Sequence, residues 1–339
     1  MRILIIRYSS LGDVVLATGP LHTLLDALPD SELIFVTKPT YGPLLQHLPP
    51  QVSIPRLDPE QPLVSAWKQL RGQVYDWIID LHGSLRSVTL AHLLRSKRQT
   101  RIDKNVRRRR AMVKSKQGLD HPLSTLSVYH DALAPLGIGD RRALPQLGLS
   151  PAEGETVRIA RESHPRTLGI GWGARWPTKA VPNEIWPELL SQVAPGTLSR
   201  ALLFAEPQNA ADLQQFAAVV RERNPGLAID TLTSADWREV MTGLASCAAY
   251  TGSDSGLMHV ADALGVPTFG LFGPTHPALG FAPSGPRSRA FHAGTWCSPC
   301  HRHGAAPCFR GHRYCFDELD LSSIASAIQT VLTCEKANR

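Results

Sequence analysis

The sequence predicts an α/β protein of two doubly wound domains, each a parallel sheet flanked by helices. Three observations carry this: a length of 339 residues, an alternation of short apolar runs with helical segments, and a polar break in that alternation between Leu144 and Arg166. A chain of this length exceeds the roughly 250–300 residues over which a single core keeps growing, so two cores are expected. Strands that alternate with helices pair in parallel through helical crossovers.

Residues 2–7 read as a first strand, Ser9-Ser10-Leu11-Gly12-Asp13 as a tight loop, and Val14 to Leu28 as a helix with one apolar face. Further strands are expected at Leu33 to Thr37 and Trp77 to Leu81. The break, with Pro145, Pro151, Gly154 and Pro165, reads as a linker. Beyond it strands are expected at Thr167 to Gly171, Ala201 to Phe204, Ala228 to Asp230 and Ala248 to Thr251, and one more before Gly273. Helices are expected at Ile185 to Val193, Ala210 to Arg223, Trp237 to Ala245, from Leu257 to Gly265, and near Leu321 to Leu332. The domains are therefore placed at 1–155 and 166–318, with 319–339 a closing helical segment that could pack across either.

With 43% hydrophobic and 19% charged residues the composition is globular. No apolar stretch approaches the roughly 18–20 residues that cross a bilayer, and the opening run is too short for a signal-peptide core, so a cytoplasmic protein with at most peripheral membrane contact is expected. The net charge of +7 is concentrated: from Arg95 to Lys116 eleven Lys or Arg face one acid, Asp103. Such a patch attracts phosphate-rich surfaces, or is simply a solvated loop. No aromatic stacking pattern or recognition helix accompanies it, so nucleic acid is not an expected partner.

Ligands of open α/β sheets bind beyond the carboxyl ends of strands. Gly252-Ser253-Asp254-Ser255-Gly256 follows a strand and precedes a helix, whose free N–H groups and partial positive charge suit a diphosphate. A carboxylate would repel phosphate, so Asp254 is assigned to sugar hydroxyls or to capping the helix.

The run Ser253-Asp254-Ser255-Gly256-Leu257-Met258-His259-Val260-Ala261, followed by Leu271-Phe272-Gly273-Pro274-Thr275, resembles the signature of glycosyltransferase family 9, the bacterial heptosyltransferases of lipopolysaccharide core assembly. The likeness extends to Met1 through Val15 and to Gly173-Ala174-Arg175-Trp176-Pro177-Thr178-Lys179 ahead of Trp186-Pro187, and so covers nearly the whole chain. It implies a GT-B fold, two Rossmann-like domains facing across a cleft, with the acceptor on the first and the nucleotide sugar on the second. It implies inverting transfer of heptose from ADP-heptose to the lipopolysaccharide inner core, with no cofactor required for transfer.

Under this resemblance Asp13 matches the catalytic base, although an Asp at a helix start is also an ordinary cap. Partial desolvation is expected to raise its proton affinity. Lys179 matches a lysine on the donor phosphates, with Thr178 beside it as a hydroxyl donor. Ser255, Gly256 and His259 belong to the same donor site, with Thr275 as a weaker member. Asn209 stands near where the family often places a ribose-binding glutamate, a departure that bears on which nucleotide is accepted. On the acceptor side, Arg86 resembles a recurrent family arginine, and Ser10, Gly12 and Arg101 join it. Arg forks suit carboxylate and phosphate, both present in the inner core, so the lipopolysaccharide core and the anionic inner face of the inner membrane are the expected partners.

Cys297, Cys300, Cys308 and Cys315 fall in one loop that begins as a CxxC. Tetrahedral zinc through four thiolates is one reading, with His301, His303 or His312 able to replace a ligand; four reduced, uncoordinated cysteines are the other. Another nucleotide sugar destined for a cell-surface polysaccharide is the alternative substrate. A basic nucleic-acid-binding protein with a structural zinc loop is the alternative from a different class.

Overall fold

The computed structural model describes residues 1–58, 60–193, 196–304 and 307–334. Residues 335–339, the end of the expected closing segment, lie outside them. The chain divides into two compact units, one of Met1–Val106 with Ser124–Gly148, the other of Arg107–Leu123 with Leu149–Arg339. Among the described residues no helix is long and apolar enough to cross a membrane.

The first unit begins with β1 (Arg2–Ile6), α1 (Leu11–Leu16), α2 (Thr18–Ala27), β2 (Glu32–Val36), β3 (Val52–Ser53), α3 (Pro62–Leu70), β4 (Val74–Asp80), α4 (Leu85–Leu93) and β5 (Arg95–Arg101). The chain then passes through α5 (Val106–Ser115), which belongs to the second unit from Arg107 onward, and returns with α6 (Thr125–Asp131). The sheet is parallel, in the order β3-β2-β1-β4-β5. Leu4, Ile6, Ile34, Val36, Tyr75, Ile78 and Leu90 are among the residues of its buried core. Sheets wound this way from a central first strand open a crevice where the winding reverses, here between β1 and β4.

Two readings of this half change. The helix expected from Val14 to Leu28 starts earlier and is broken at Ala17, because Pro20 in the first turn of α2 has no N–H to continue the ladder. The basic run is not a loop: residues 95–101 pair with β4 from Val74↔Arg95 to Asp80↔Arg101 as an edge strand, and the four arginines 107–110 open α5. Polar side chains exposed along β5 hide the apolar alternation that marks a strand, and their charge discourages pairing with another chain.

The second unit continues with α7 (Pro151–Ser163), β6 (Thr167–Gly171), α8 (Ile185–Gln192), β7 (Arg200–Ala205), α9 (Ala210–Arg223), β8 (Ala228–Thr233), α10 (Trp237–Ser246), β9 (Ala249–Ser253), α11 (Gly256–Ala263), β10 (Thr268–Phe272), β11 (Arg289–His292), α12 (Tyr314–Asp317) and α13 (Leu321–Cys334). Its parallel sheet runs β11-β10-β9-β6-β7-β8, and the winding reverses between β6 and β9. Leu168, Ile170, Leu203 and Leu271 of the strands share one core with Trp186 of α8 and with Ile324, Ile328 and Leu332 of α13.

The stretch read as a linker carries α7. Its Pro and Gly read as breakers in the sequence, yet Pro151 sits in the first turn, where its missing N–H is not needed. Ser150 and Glu153 form a capping box: Glu153 N–H donates to Ser150 Oγ at 3.2 Å and Ser150 N–H to Glu153 Oε2 at 2.6 Å. Arg238 of α10 closes on the same carboxylate, its Nε on Oε1 at 2.8 Å and its Nη2 on Oε2. The Arg238 hydrogen bonds hold Glu153 down to about 2 from its ordinary 4.5.

A depressed carboxylate contributes stability above its unfolded value and loses it as pH falls through the folded one. Glu153→Gln is therefore expected to lower stability by about 1.5–3 kcal/mol near neutral pH. The difference from wild type should close between pH 4.5 and about 2 when urea midpoints are compared across that range.

Candidate functional site

The carboxyl edge of the first sheet gathers the residues that follow β1 and β4. Arg7, one residue past β1, donates through Nη1 to the Leu81 carbonyl beyond β4 at 2.6 Å, tying the two strand ends together. Its Nη2 lies 2.6 Å from Asp13 Oδ2 in the first turn of α1. Ser10 donates to the same oxygen through Oγ at 2.7 Å and N–H at 3.2 Å, and Tyr129 of α6 donates its hydroxyl to Oδ1 at 2.8 Å. The Arg7 guanidinium also lies over the Tyr129 ring, 5.4 Å from its centre.

Asp13 is not the capping residue of α1, which is Ser10, but the third helical residue that completes its capping box; the side chain is only 14% exposed and has four donors. Burial pushes its affinity for a proton up and is the largest single influence. Arg7, Ser10 and Tyr129 together outweigh it, so the carboxyl lies below its ordinary 3.8. The expectation of a raised proton affinity is therefore corrected: desolvation is present, and the donors overcome it.

Asp80 fixes the turn after β4, accepting from the His82 and Gly83 N–H groups at 2.9 and 2.8 Å and from Ser87 Oγ at 2.9 Å. That turn launches α4 and sets Arg86, exposed, in its first turn. Arg101 ends β5 in register with Asp80 and is also exposed. Gly12 is buried and Ser10 exposed. His82, edge-on to Tyr8 at 5.6 Å, is pushed down to about 4 by burial and by the charges of Arg7 and Lys104.

In the second unit the loops after β6 and β9, on either side of the reversal, supply Lys179 and Asp254. Lys179 Nζ lies 2.7 Å from Asp254 Oδ2, with side chains 14% and 11% exposed. Thr275, after β10 and buried, donates its hydroxyl to the same oxygen at 2.7 Å. Asp254 does not cap α11: Ser255 is the capping residue, and its side chain makes no cap hydrogen bond.

The floor below is built around Tyr250 in β9. A Cβ added to Gly171 would stand 2.0 Å from the Tyr250 hydroxyl oxygen, and one on Gly252 2.6 Å, so both strands need glycine where the phenol crosses them. His259 is buried in α11, edge-on to Phe281 at 6.5 Å, and Arg109 of α5 lies over the same Phe281 ring, 5.1 Å from its centre. Asn209 precedes α9 at the end of a short turn after β7, and its side chain makes no cap.

The four loop cysteines line one cavity with Gly273, Pro274 and Thr178. Among the described residues, however, no group of three or more His, Cys, Asp or Glu is placed to hold a metal ion. Cys308 Sγ donates to the His312 carbonyl at 3.0 Å and Cys300 Sγ to the Pro274 carbonyl at 3.7 Å. Burial pushes the Cys300 thiol up and that of Cys315 to about 12. Zinc needs thiolates that converge. No such metal-ligand group is formed among the described residues, so the structural zinc reading is not supported.

Arg7 and Tyr129 escaped the reading of the sequence. Arg7 belongs to the opening motif but looked like the end of a strand, and nothing in sequence links Tyr129 to a residue 116 positions earlier.

Two parallel doubly wound units, with polar residues gathered at the carboxyl edges of both sheets, are the architecture of the GT-B glycosyltransferases. Residues 63–307 match glycosyltransferase family 9 (heptosyltransferase), and the chain belongs to that family. It is 26% identical over 325 residues to lipopolysaccharide heptosyltransferase 1 of Pseudomonas aeruginosa, covering 88% of this chain and 86% of that protein. In fold it is similar to the family 9 glycosyl transferase of Veillonella parvula, with a TM-score of 0.77 at 18% identity over 98% of this chain and 97% of that one. It is also similar to the ADP-heptose lipopolysaccharide heptosyltransferase II of E. coli, with a TM-score of 0.72 at 19% identity over 99% and 100%.

Removing one member of a buried ion pair leaves the other uncompensated, at about 3–5 kcal/mol. Lys179→Met and Asp254→Asn are each expected to destabilise the protein on that scale. The double variant should be less destabilised than the sum of the two by about 1–3 kcal/mol in a thermal or urea unfolding cycle.

Proposed function

We propose that this chain transfers heptose from ADP-heptose to the lipopolysaccharide inner core with inversion at the anomeric carbon. The observation that carries the reading is the buried Lys179–Asp254–Thr275 cluster beside an uncapped helix start, at the reversal point of the second sheet of a family 9 chain. Relatives named as heptosyltransferases, one of them for ADP-heptose, support the choice of donor.

In this proposal the second unit holds the donor. An ammonium has three donors, and Lys179 spends one on Asp254, leaving two for diphosphate oxygens. The N–H groups of Ser255 and Gly256 add to the same charge-binding set; the Thr178 hydroxyl, expected as a further donor, is instead given to the Gly304 carbonyl. Asp254, whose Oδ2 is occupied by Lys179 and Thr275, turns Oδ1 to the sugar hydroxyls, with His259 packed below and Asn209 toward the ribose. Charge accumulates on the diphosphate as the glycosidic bond to ADP breaks, and these groups stabilise it without a metal in the transfer step.

The first unit holds the acceptor through Arg86 and Arg101, with Ser10 and Gly12 shaping the loop around the base. Asp13 Oδ2 is filled by Arg7 and Ser10, so Oδ1, with only the Tyr129 hydroxyl, is the oxygen left to accept the acceptor's proton. The acceptor oxygen attacks the anomeric carbon on the face opposite ADP and its proton passes to Oδ1. A carboxylate held at low pKa is a weak base, so proton transfer comes late and most of the acceleration falls on the departing diphosphate and on positioning. The exposed charges of β5 and α5 draw the enzyme to the anionic inner face of the membrane where such acceptors lie.

Asp13→Asn is expected to lower transfer about 10²–10⁴-fold while ADP still binds. Transfer at the native rate, or a product of retained anomeric configuration by NMR, would overturn the mechanism. A donor panel tests the sugar: turnover only with another nucleotide sugar replaces heptose in the reading.

The donors that depress Asp13 also set the pH range. Because they favour the charged form, the acid limb of kcat/KM should lie below pH 3.8 in the wild type. Tyr129→Phe removes one of them and should move that limb upward in a pH–rate profile, with the alkaline limb unmoved.

A further inference from the structure

The cysteine-bearing segment is bonded to both loops that carry the Lys179–Asp254–Thr275 cluster. At one end Ser298 Oγ donates to the Gly273 carbonyl at 2.7 Å and to the Thr275 carbonyl at 3.3 Å, while the Cys300 and His301 N–H groups donate to the Pro274 carbonyl at 3.0 and 3.1 Å. At the other end Arg313 Nη1 donates to the Ala180 carbonyl at 2.8 Å and reaches that of Pro177 at 3.5 Å, which brackets Lys179 on both sides. Between them the Gly304 carbonyl accepts from Thr178 Oγ1.

Gly304 also lies against the lysine stem itself. A Cβ added there would stand 2.5 Å from Lys179 Cγ and 2.8 Å from Cδ, and its φ of +73° is one that side-chain-bearing residues rarely adopt. The contacts close a ring: the turn at 177–180, Lys179 to Asp254, Asp254 to Thr275, the loop at 273–275, and the segment back to the turn. A lysine has four rotatable bonds in its stem and in water samples many rotamers. Here the stem is backed by backbone and both ends of its turn are pinned.

We propose that this segment is a strap on the donor site, in which Arg313 and Gly304 are positioning residues that hold Lys179 aimed at the donor diphosphate. The inference rests on the reading of Lys179 as a donor ligand. It gives the loop a task that needs neither metal nor disulfide, since the polar contacts come from Ser298, the backbone, Gly304 and Arg313.

The test is steady-state kinetics with ADP-heptose together with ADP binding by calorimetry, on Arg313→Ala, Arg313→Lys, Gly304→Ala and Lys179→Met. Arg313→Ala and Gly304→Ala should each raise the donor KM and the ADP Kd about tenfold or more, with the acceptor KM unchanged. Arg313→Lys, which keeps one donor for the Ala180 carbonyl, should recover much of the loss. A strap that served only folding would lower the melting temperature and the active fraction while leaving the donor KM at its native value, and that result overturns the inference. If Lys179→Met weakens ADP but Arg313→Ala and Gly304→Ala do not, the inference falls and the donor site stands. If Lys179→Met leaves ADP affinity untouched, the reading of the donor site falls, and the inference with it.

Discussion

The Lys179–Asp254 pair is the constraint on which the second unit is organised. Two opposite charges taken largely out of water need close geometry and further hydrogen bonds to hold. Thr275 supplies one such bond, and the loops after β6, β9 and β10 must therefore converge on a single carboxylate oxygen. Convergence of that kind is possible only where the sheet winding reverses, because there the crossovers leave in opposite directions and open space above the strand ends. The Tyr250 phenol under Gly171 and Gly252 then fills the volume directly beneath, so the charged layer rests on a packed floor.

The two candidate carboxylates show how surroundings divide the work. Asp13 has Arg7 and Ser10 on one oxygen and the Tyr129 hydroxyl on the other. Asp254 instead gives one oxygen to a permanent cation and a threonine. In the proposed mechanism one oxygen of each carboxylate is anchored and the other faces substrate; the difference lies in the anchors, an arginine, a serine and a tyrosine at Asp13 against a lysine and a threonine at Asp254.

Most strands and helices of both units could be read from apolar periodicity, because buried parallel strands such as β1, β6 and β10 are continuous runs of apolar and small residues. The failures have physical causes. β5 is an edge strand with polar side chains along it, so its pairing to β4 leaves no pattern. α7 was hidden because Pro151 and Gly154 read as breakers until Ser150 and Glu153 are recognised as a capping box. At the site, residues within the motifs were legible as candidates, but Arg7 and Tyr129 act through tertiary contact, which no local spacing records. Cysteine spacing points to a metal; it does not record that Cys300 and Cys308 turn toward carbonyls, or that Gly304 and Arg313, which lie among the cysteines, reach the turn at 177–180.

The path of the chain through α5 has a consequence for how the molecule is put together. Residues 107–123 leave the first unit, lie in the second with Arg109 over Phe281 and the Leu123 N–H on the Ala278 carbonyl at 2.9 Å, and then return. The two units are therefore interleaved in sequence and not strung end to end. A cut after Gly148 would strip the second unit of a helix and leave the first with an internal segment that packs elsewhere, so neither half is a self-sufficient fragment. On the ribosome, the segment 107–123 emerges well before the body it packs against, and it must wait for residues beyond 270 before its place exists.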